Sequence, residues 1–153
     1  GYFQFMPSTM KNYAIDYDKN SYIDLKNNND AYASAANYLS QIGWNDKLPC
    51  FYKINLLNDV PKKYLNVSAK KLHNKKKLKY FRKYISDEYI LDKKFDNLTT
   101  SLITPDKDII PDAETLSPAY IVFDNYEIIL KWNRSLRFSL AVCTLKDKLK
   151  NEL

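Results

Sequence analysis

Gln4-Phe5-Met6-Pro7-Ser8-Thr9 leads into Asp16-Tyr17-Asp18-Lys19-Asn20-Ser21-Tyr22-Ile23-Asp24, and Asp30 opens Ala31-Tyr32-Ala33-Ser34-Ala35-Ala36-Asn37-Tyr38. This run reads as a helix, an oxygen-rich loop and a second helix. Pro7 suits a first helical turn, Ser8 or Thr9 is the candidate N-cap, and the helix should run through Met10 to Ile15. The second helix should begin near Asp30 and reach about Ile42. Its alanines 33, 35 and 36 permit close backbone approach, Tyr32, Leu39 and Ile42 supply bulk, and Gly43 is a natural stop just past the end.

The loop between them alternates oxygen side chains. Asp16, Asp18 and Asn20 occupy positions one, three and five of an EF-hand-like pattern, the Tyr22 carbonyl falls at seven and Asp24 at nine. A chain curling round a hard cation turns every second side chain inward, which is why alternation matters. The pattern departs from the standard loop twice: Ser21 stands where Gly is usual, and Asn27 where a bidentate Glu is usual. Asp30, at the head of the next helix, could close a longer loop. Spacing alone leaves two readings open, a cation loop and a solvated Asx-rich turn. In a tight turn Ser21 would need a left-handed φ, which predicts modest cation affinity.

Beyond Trp44 the pattern changes to alternation. Phe51-Tyr52-Lys53-Ile54-Asn55-Leu56 reads as a strand, as do residues 101–103 and 119–123. A basic helix is expected from Ser68 to about Ile85, and residues 106–118 form a Pro- and Asp-bearing loop. Helical signals return from Tyr126 to Lys131, and Ser135 can cap a last helix with Phe138, Ala141, Val142, Leu145 and Leu149 on its apolar side. The expected class is α+β: residues 1–45 helical, 46–124 a small β-rich subdomain, and 125–153 a returning helical segment.

Hydrophobic residues make up 45% of the 153, enough for a packed core and too many for a disordered chain. The net charge of +6 has a local source, because Lys62 to Lys83 hold ten Lys or Arg and no Asp or Glu. Such a block is either a solvated face or a surface for an anionic polymer, nucleic acid or cell-wall polymer. No zinc-finger, RNP or helix-turn-helix signature accompanies it. Cys50 and Cys143 are too few for a disulfide framework, and Cys143 is expected as a buried thiol. No apolar run reaches membrane-spanning length, and no signal peptide opens the chain.

Several of these segments match one family in order. Residues 4–9, Tyr13-Ala14-Ile15-Asp16, Ala36-Asn37-Tyr38-Leu39 and Gly43-Trp44 resemble the middle of the B-type lytic murein transglycosylases. Residues 118–126 and Ile129-Leu130-Lys131-Trp132-Asn133-Arg134-Ser135 resemble that family's later segment, continued by Phe138-Ser139-Leu140-Ala141-Val142. The resemblance implies part of a lysozyme-like helical core with a small inserted β-rich subdomain. It implies a structural calcium site on Asp16, Asp18, Asn20, Tyr22 and Asp30, and no organic cofactor. It implies sugar-binding roles for Gln4, Phe5, Met6, Tyr38, Trp132, Asn133 and Phe138. Aromatic faces stack on sugar C–H surfaces, and amides pair with hydroxyl and acetamido groups. The implied partner is the glycan strand of peptidoglycan and not nucleic acid. The implied setting is the periplasm or envelope of a Gram-negative bacterium, as a monomer, with membrane association only through an N-terminal lipid anchor.

The implied reaction cleaves the β-1,4 bond between N-acetylmuramic acid and N-acetylglucosamine and leaves a 1,6-anhydromuramoyl end. One Glu serves first as acid and then as base, in place of the usual carboxylate pair. In the family that Glu lies well upstream of the Gln-Phe-Met-Pro motif, and only three residues precede Gln4 here. Glu88, Glu114, Glu127 and Glu152 match no catalytic segment, so these residues alone are expected to be inactive. Three readings stay open: part of a transglycosylase, a non-catalytic remnant that is either a wall-binding module or a decayed gene product, and a nucleic-acid binder resting on the basic block alone.

Overall fold

The computed structural model describes residues 3–106 and 116–152, which fall in two compact units, residues 1–45 and 46–153. The class is α+β, as expected. Most of the Pro- and Asp-bearing loop lies outside the described residues.

The first unit pairs two helices, α1 (Pro7–Tyr13) and α2 (Asn28–Gln41). Met6 rather than Ser8 or Thr9 takes the N-cap position of α1. Pro7 explains the earlier start, because its fixed φ suits the first helical position and its missing N–H costs nothing there. The helix α2 begins at Asn28 because Asn27 caps it, its Oδ1 accepting the Asn29 amide at 2.9 Å. Gly43 ends it at φ 105°, and the Trp44 amide turns back to the Leu39 carbonyl at 2.9 Å. Two side chains of α2 seize the end of α1: Ser34 Oγ accepts the Ile15 amide at 2.9 Å, and Asn37 Nδ2 donates to the Tyr13 carbonyl at 2.9 Å.

The second unit is built on a mixed sheet. Its strands are β1 (Phe51–Ile54), β2 (Leu65–Asn66), β3 (Lys76–Lys77), β4 (Thr99–Ile103) and β5 (Ala119–Val122). The order is β1-β5-β4-β2, with β3 also antiparallel to β4, and β2 runs parallel to β4. Register places Phe51 and Ser101 on either side of Val122. Both faces of β4 and β5 are covered, so Ser101, Leu102, Ile103, Ile121 and Val122 are all buried, as a central strand requires. On one face Ile54, Leu102 and Ile121 pack with Tyr64, Leu78, Phe81 and Leu91.

Residues 68–85 do not form the expected basic helix. Residues 68–75 are irregular, β3 follows, and one turn of helix, α3 (Leu78–Phe81), runs into a tighter turn at Arg82–Tyr84. Ser68 does not cap a helix; its Oγ accepts the Lys70 amide at 3.3 Å in a local turn. Lysines 70, 71, 75, 76 and 77 have no carboxylate within a helical turn to offset their repulsion. Asn66 supplies the alternative. It is buried, its Nδ2 donates to the His73 and Leu102 carbonyls at 3.2 and 2.9 Å, and its Oδ1 accepts the His73 amide at 2.7 Å.

Arg82 holds the next irregular stretch. Its Nε donates to Asp96 at 2.7 Å, Nη1 to the Glu88 carboxylate at 2.6 Å, and Nη2 to the Leu91 carbonyl at 2.9 Å. Burial works against its charge, yet the hydrogen bonds with Glu88 and Asp96 more than offset this and hold the guanidinium above its ordinary pKa.

Two helices close the unit, α4 (Asp124–Trp132) and α5 (Leu136–Glu152). Buried Tyr126 donates its hydroxyl to the Leu136 carbonyl at 2.8 Å, and burial raises its pKa. Ser135 caps α5 as expected, its Oγ accepting the Phe138 amide at 3.2 Å. The buried face of α5 is not the expected one. Leu136, Ser139 and Cys143 point inward, while Phe138, Leu145 and Leu149 are 41%, 58% and 50% exposed. The reason is covalent. Cys143 is not a free thiol but is bonded to Cys50, 93 residues earlier, and the bond fixes which side of α5 faces the sheet. A disulfide persists in an oxidising compartment.

Reducing the Cys50–Cys143 bridge should lower stability by about 2–5 kcal/mol, the usual cost of losing a native disulfide. Urea unfolding with and without reductant measures it, and a Cys50→Ala/Cys143→Ala chain should follow the reduced curve. A midpoint indifferent to reductant would show that α5 is held by packing alone. Arg82→Lys should cost about 2 kcal/mol, because an ammonium cannot serve two carboxylates and two carbonyls at once. An unchanged urea midpoint would assign residues 82–98 to apolar packing.

Candidate functional site

In the first unit the site grows from the loop between α1 and α2. Lys19 and Ser21 both adopt left-handed backbone, at φ 60° and 70°. Ser21 thus pays the strain expected of a residue at the glycine position. The turn is stitched by its own acids. Asp16 Oδ1 accepts the Asn20 amide at 3.1 Å, Asp16 Oδ2 the Ser21 amide at 2.8 Å, and Asn20 Oδ1 the Tyr22 amide at 2.9 Å.

Asp30 closes the loop from the first turn of α2 and is completely buried. Its Oδ1 accepts the Tyr17 amide and its Oδ2 the Asp24 amide, both at 2.9 Å. The amides of Asp24, Tyr17 and Asp18 hold its pKa below the ordinary value against the opposing effect of burial. Ligand oxygens of Asp16, Asp18 and Asp30 lie within 4.8 Å of one another. Hard carboxylate oxygens at this spacing fit a calcium-sized cation, whose charge would relieve their repulsion. Asn20 and Tyr22, the other expected ligands, are exposed on the same turn.

Before α1, Gln4 takes φ 52°, and the rings of Phe3 and Phe5 meet across it at 5.9 Å. That contact leaves the Gln4 side chain exposed. Phe3, Gln4 and Phe5 line a pocket of about 380 Å³ together with Tyr22, Leu25 and Lys26. Tyr38 on α2 is half-buried, edge-on to Phe5 at 6.2 Å and to Tyr13 at 5.1 Å. Met6 is 68% exposed at the start of α1. Gln4, Phe5 and Tyr38 therefore belong to one neighbourhood. Phe3 and Tyr22 complete the pocket, and neither was singled out from sequence as a sugar-binding residue.

In the second unit Trp132 is the last residue of α4 and Asn133 follows it at the C-cap. The Asn133 backbone is fully engaged: its amide donates to Ile129 at 3.1 Å and its carbonyl accepts from Ser135 at 2.7 Å. Its side chain is exposed and makes no hydrogen bond among the described residues. Phe138 projects from the first turn of α5. Glutamates are committed elsewhere. Glu88 pairs with Arg82, Glu127 pairs with Lys75, Glu152 ends α5 in solvent, and Glu114 lies outside the described residues.

The model of the transglycosylase SLT domain family matches residues 1–147. Membrane-bound lytic murein transglycosylase B of Escherichia coli is 48% identical over 44 residues, which are 29% of this chain and 12% of that protein. SltB3 of Pseudomonas aeruginosa, solved in complex with NAG-anhNAM-pentapeptide, superposes with a TM-score of 0.80 at 28% identity. The match covers 98% of this chain and 38% of SltB3. The Escherichia coli lytic transglycosylase Slt35, solved in complex with calcium, superposes with a TM-score of 0.67 at 22% identity, covering 95% of this chain and 42% of that one. The chain thus spans less than half the length of these relatives. With a family model along nearly its whole length, the chain is a member of the transglycosylase SLT domain family, of the B-type lytic murein transglycosylase kind.

Proposed function

We propose that this chain serves lytic cleavage of peptidoglycan, at the β-1,4 bond between N-acetylmuramic acid and N-acetylglucosamine, with a 1,6-anhydromuramoyl product. The observation that carries the reading is the match to SltB3 over 98% of this chain, a protein crystallised with NAG-NAM-pentapeptide. Residues 1–153 contribute sugar-binding groups: Gln4, Phe5, Met6 and Tyr38 from the first unit, Trp132, Asn133 and Phe138 from the second. The acid/base role falls to none of Glu88, Glu127 or Glu152, two of which are ion-paired and one of which is on a solvent-facing helix end. Residues 1–45, 46–124 and 125–153 are read as core half, β-rich subdomain and returning core segment. The Cys50–Cys143 bridge supports an envelope setting such as the periplasm. No helix among the described residues is long and apolar enough to cross a membrane.

The Asp16–Asp30 loop is assigned a structural calcium ion, held by Asp16, Asp18 and Asp30 with Asn20 and the Tyr22 carbonyl. Bound there, calcium would tie α1 to α2 and do no chemistry.

Residues 1–153 should pellet with purified peptidoglycan sacculi and release no anhydromuropeptides. Asn133→Ala should weaken pelleting several-fold with little change in melting. Ser135→Ala should chiefly lower stability, by about 1 kcal/mol, as loss of an N-cap does. Anhydromuropeptides above the buffer blank would overturn the division of labour. Pelleting that falls only in step with folded protein in both variants would remove Asn133 from the binding groups.

Calcium should raise the melting temperature, by an amount equal to about 2.7 kcal/mol at a hundredfold excess over Kd. Asp18→Asn, on the exposed side of the loop, should abolish the rise while leaving the calcium-free melt near that of the parent. A melting curve unmoved by millimolar calcium would leave the loop as an Asx-rich turn.

A further inference from the structure

Two pockets of the second unit adjoin at Lys70 and Lys71, which line both. One, of about 470 Å³, is lined by Lys62 and Lys63 as well. The other, of about 350 Å³, ends at Lys131 and Arg134 on the last turn of α4 and just beyond it. Together they form a trough with a single carboxylate among its lining residues, Glu127, and that carboxylate is already paired with Lys75. The other lining cations have no carboxylate partner among the described residues.

The trough is built, not a chance meeting of flexible side chains. Buried Asn66 clamps the loop that carries Lys70 and Lys71, through His73 at both its amide and its carbonyl. Asn74, at φ 55°, donates Nδ2 to the Lys63 carbonyl at 2.6 Å and fixes the near wall. Arg134 Nη1 donates to the Lys70 carbonyl at 3.2 Å and joins the far wall to the middle. The backbones bearing the charges are therefore placed before any ligand arrives, which lowers the ordering cost of binding.

We propose that this trough binds a linear polymer of sugar- or polyol-phosphate units. A row of cations along a channel suits a chain with a repeating negative charge more than it suits a single anion or a flat sheet of headgroups. Lysine dominates, and its compact ammonium meets phosphate as a point charge with no demand for a planar partner. Between the charges stand Ser68 and His73, which can pair with hydroxyls. No Phe, Tyr or Trp lines either pocket, and His73 is the one ring among the lining residues, so the trough offers no succession of aromatic faces for successive bases, which argues against single-stranded nucleic acid.

The test is a titration of the 153-residue chain with fluorescently labelled poly(glycerol phosphate) at low ionic strength. A single-stranded oligodeoxynucleotide of equal phosphate count and vesicles of anionic phospholipid run in parallel. The glycerol-phosphate polymer should bind tightest, with an affinity that falls as salt is added. Lys70→Glu/Lys71→Glu should weaken it roughly tenfold or more, whereas Lys148→Glu/Lys150→Glu, the same charge change on the outer end of α5, should weaken it less than about twofold. Lys70→Gln/Lys71→Gln removes the charges without adding repulsion and should fall between; circular dichroism and melting confirm that each variant is folded. Equal loss in both charge-reversed variants would reduce the effect to net charge and overturn the proposal. So would an oligonucleotide or vesicles that bind as tightly as the polymer, or no binding of the polymer at low salt.

Discussion

A carboxylate without solvent must be held by something, and in the first unit Asp30 is held by the backbone. Two loop amides, from Tyr17 and Asp24, point at its two oxygens from opposite ends of the turn. Because Asp30 also sits in the first turn of α2, the helix dipole favours its charge. One side chain thereby sets where the loop begins, where it ends and how α2 starts. Asp16 and Asp18 then have little choice but to approach, since the turn that serves Asp30 carries them inward. A cation would complete this arrangement; it would not have to create it.

The second unit is organised by a different kind of restraint. Its irregular segments contain little helix or sheet to satisfy their backbone, and two side chains take over. Asn66 anchors residues 66–73 and Arg82 anchors residues 82–96. Neither is a core hydrophobe, yet each decides the path of a loop that the core alone would leave open. This also explains why a stretch so rich in lysine can be ordered. Its charges face out, while the groups that fix it are neutral or paired.

What could be read from sequence follows from range. Local signals were legible: the Gly43 stop, the Ser135 cap, the strand character of residues 51–54 and 119–122, and the acidic spacing with Asp30 as its last member. Each depends on residues a few positions apart. The misread parts depend on partners far away in the chain. Residues 68–85 carry a passable helical pattern, and only Asn66 and the pairing of β3 with β4 draw them elsewhere. The last helix has an apolar stripe at Phe138, Leu145 and Leu149, but Cys50 selects another face. At the site, Phe5 and Tyr38 were legible through motif and meet in space, whereas Phe3 and Tyr22 become visible only once the loop has folded back.

The position of β5 in the sheet has a consequence for order of assembly. It is the latest strand in the chain and stands between β1 and β4, each of which meets the main sheet through it or beside it. Until residues 119–122 arrive, β1 has no neighbour in the sheet and must wait across some 65 residues of intervening chain, roughly what separates its end from the start of β5. Such non-local closure is slow in kinetic terms, and it leaves two unpaired strand edges during synthesis. A ribosome that stalls before this strand would release a chain whose sheet cannot close, with the charged 62–83 segment beside it as its main protection against sticking to its neighbours.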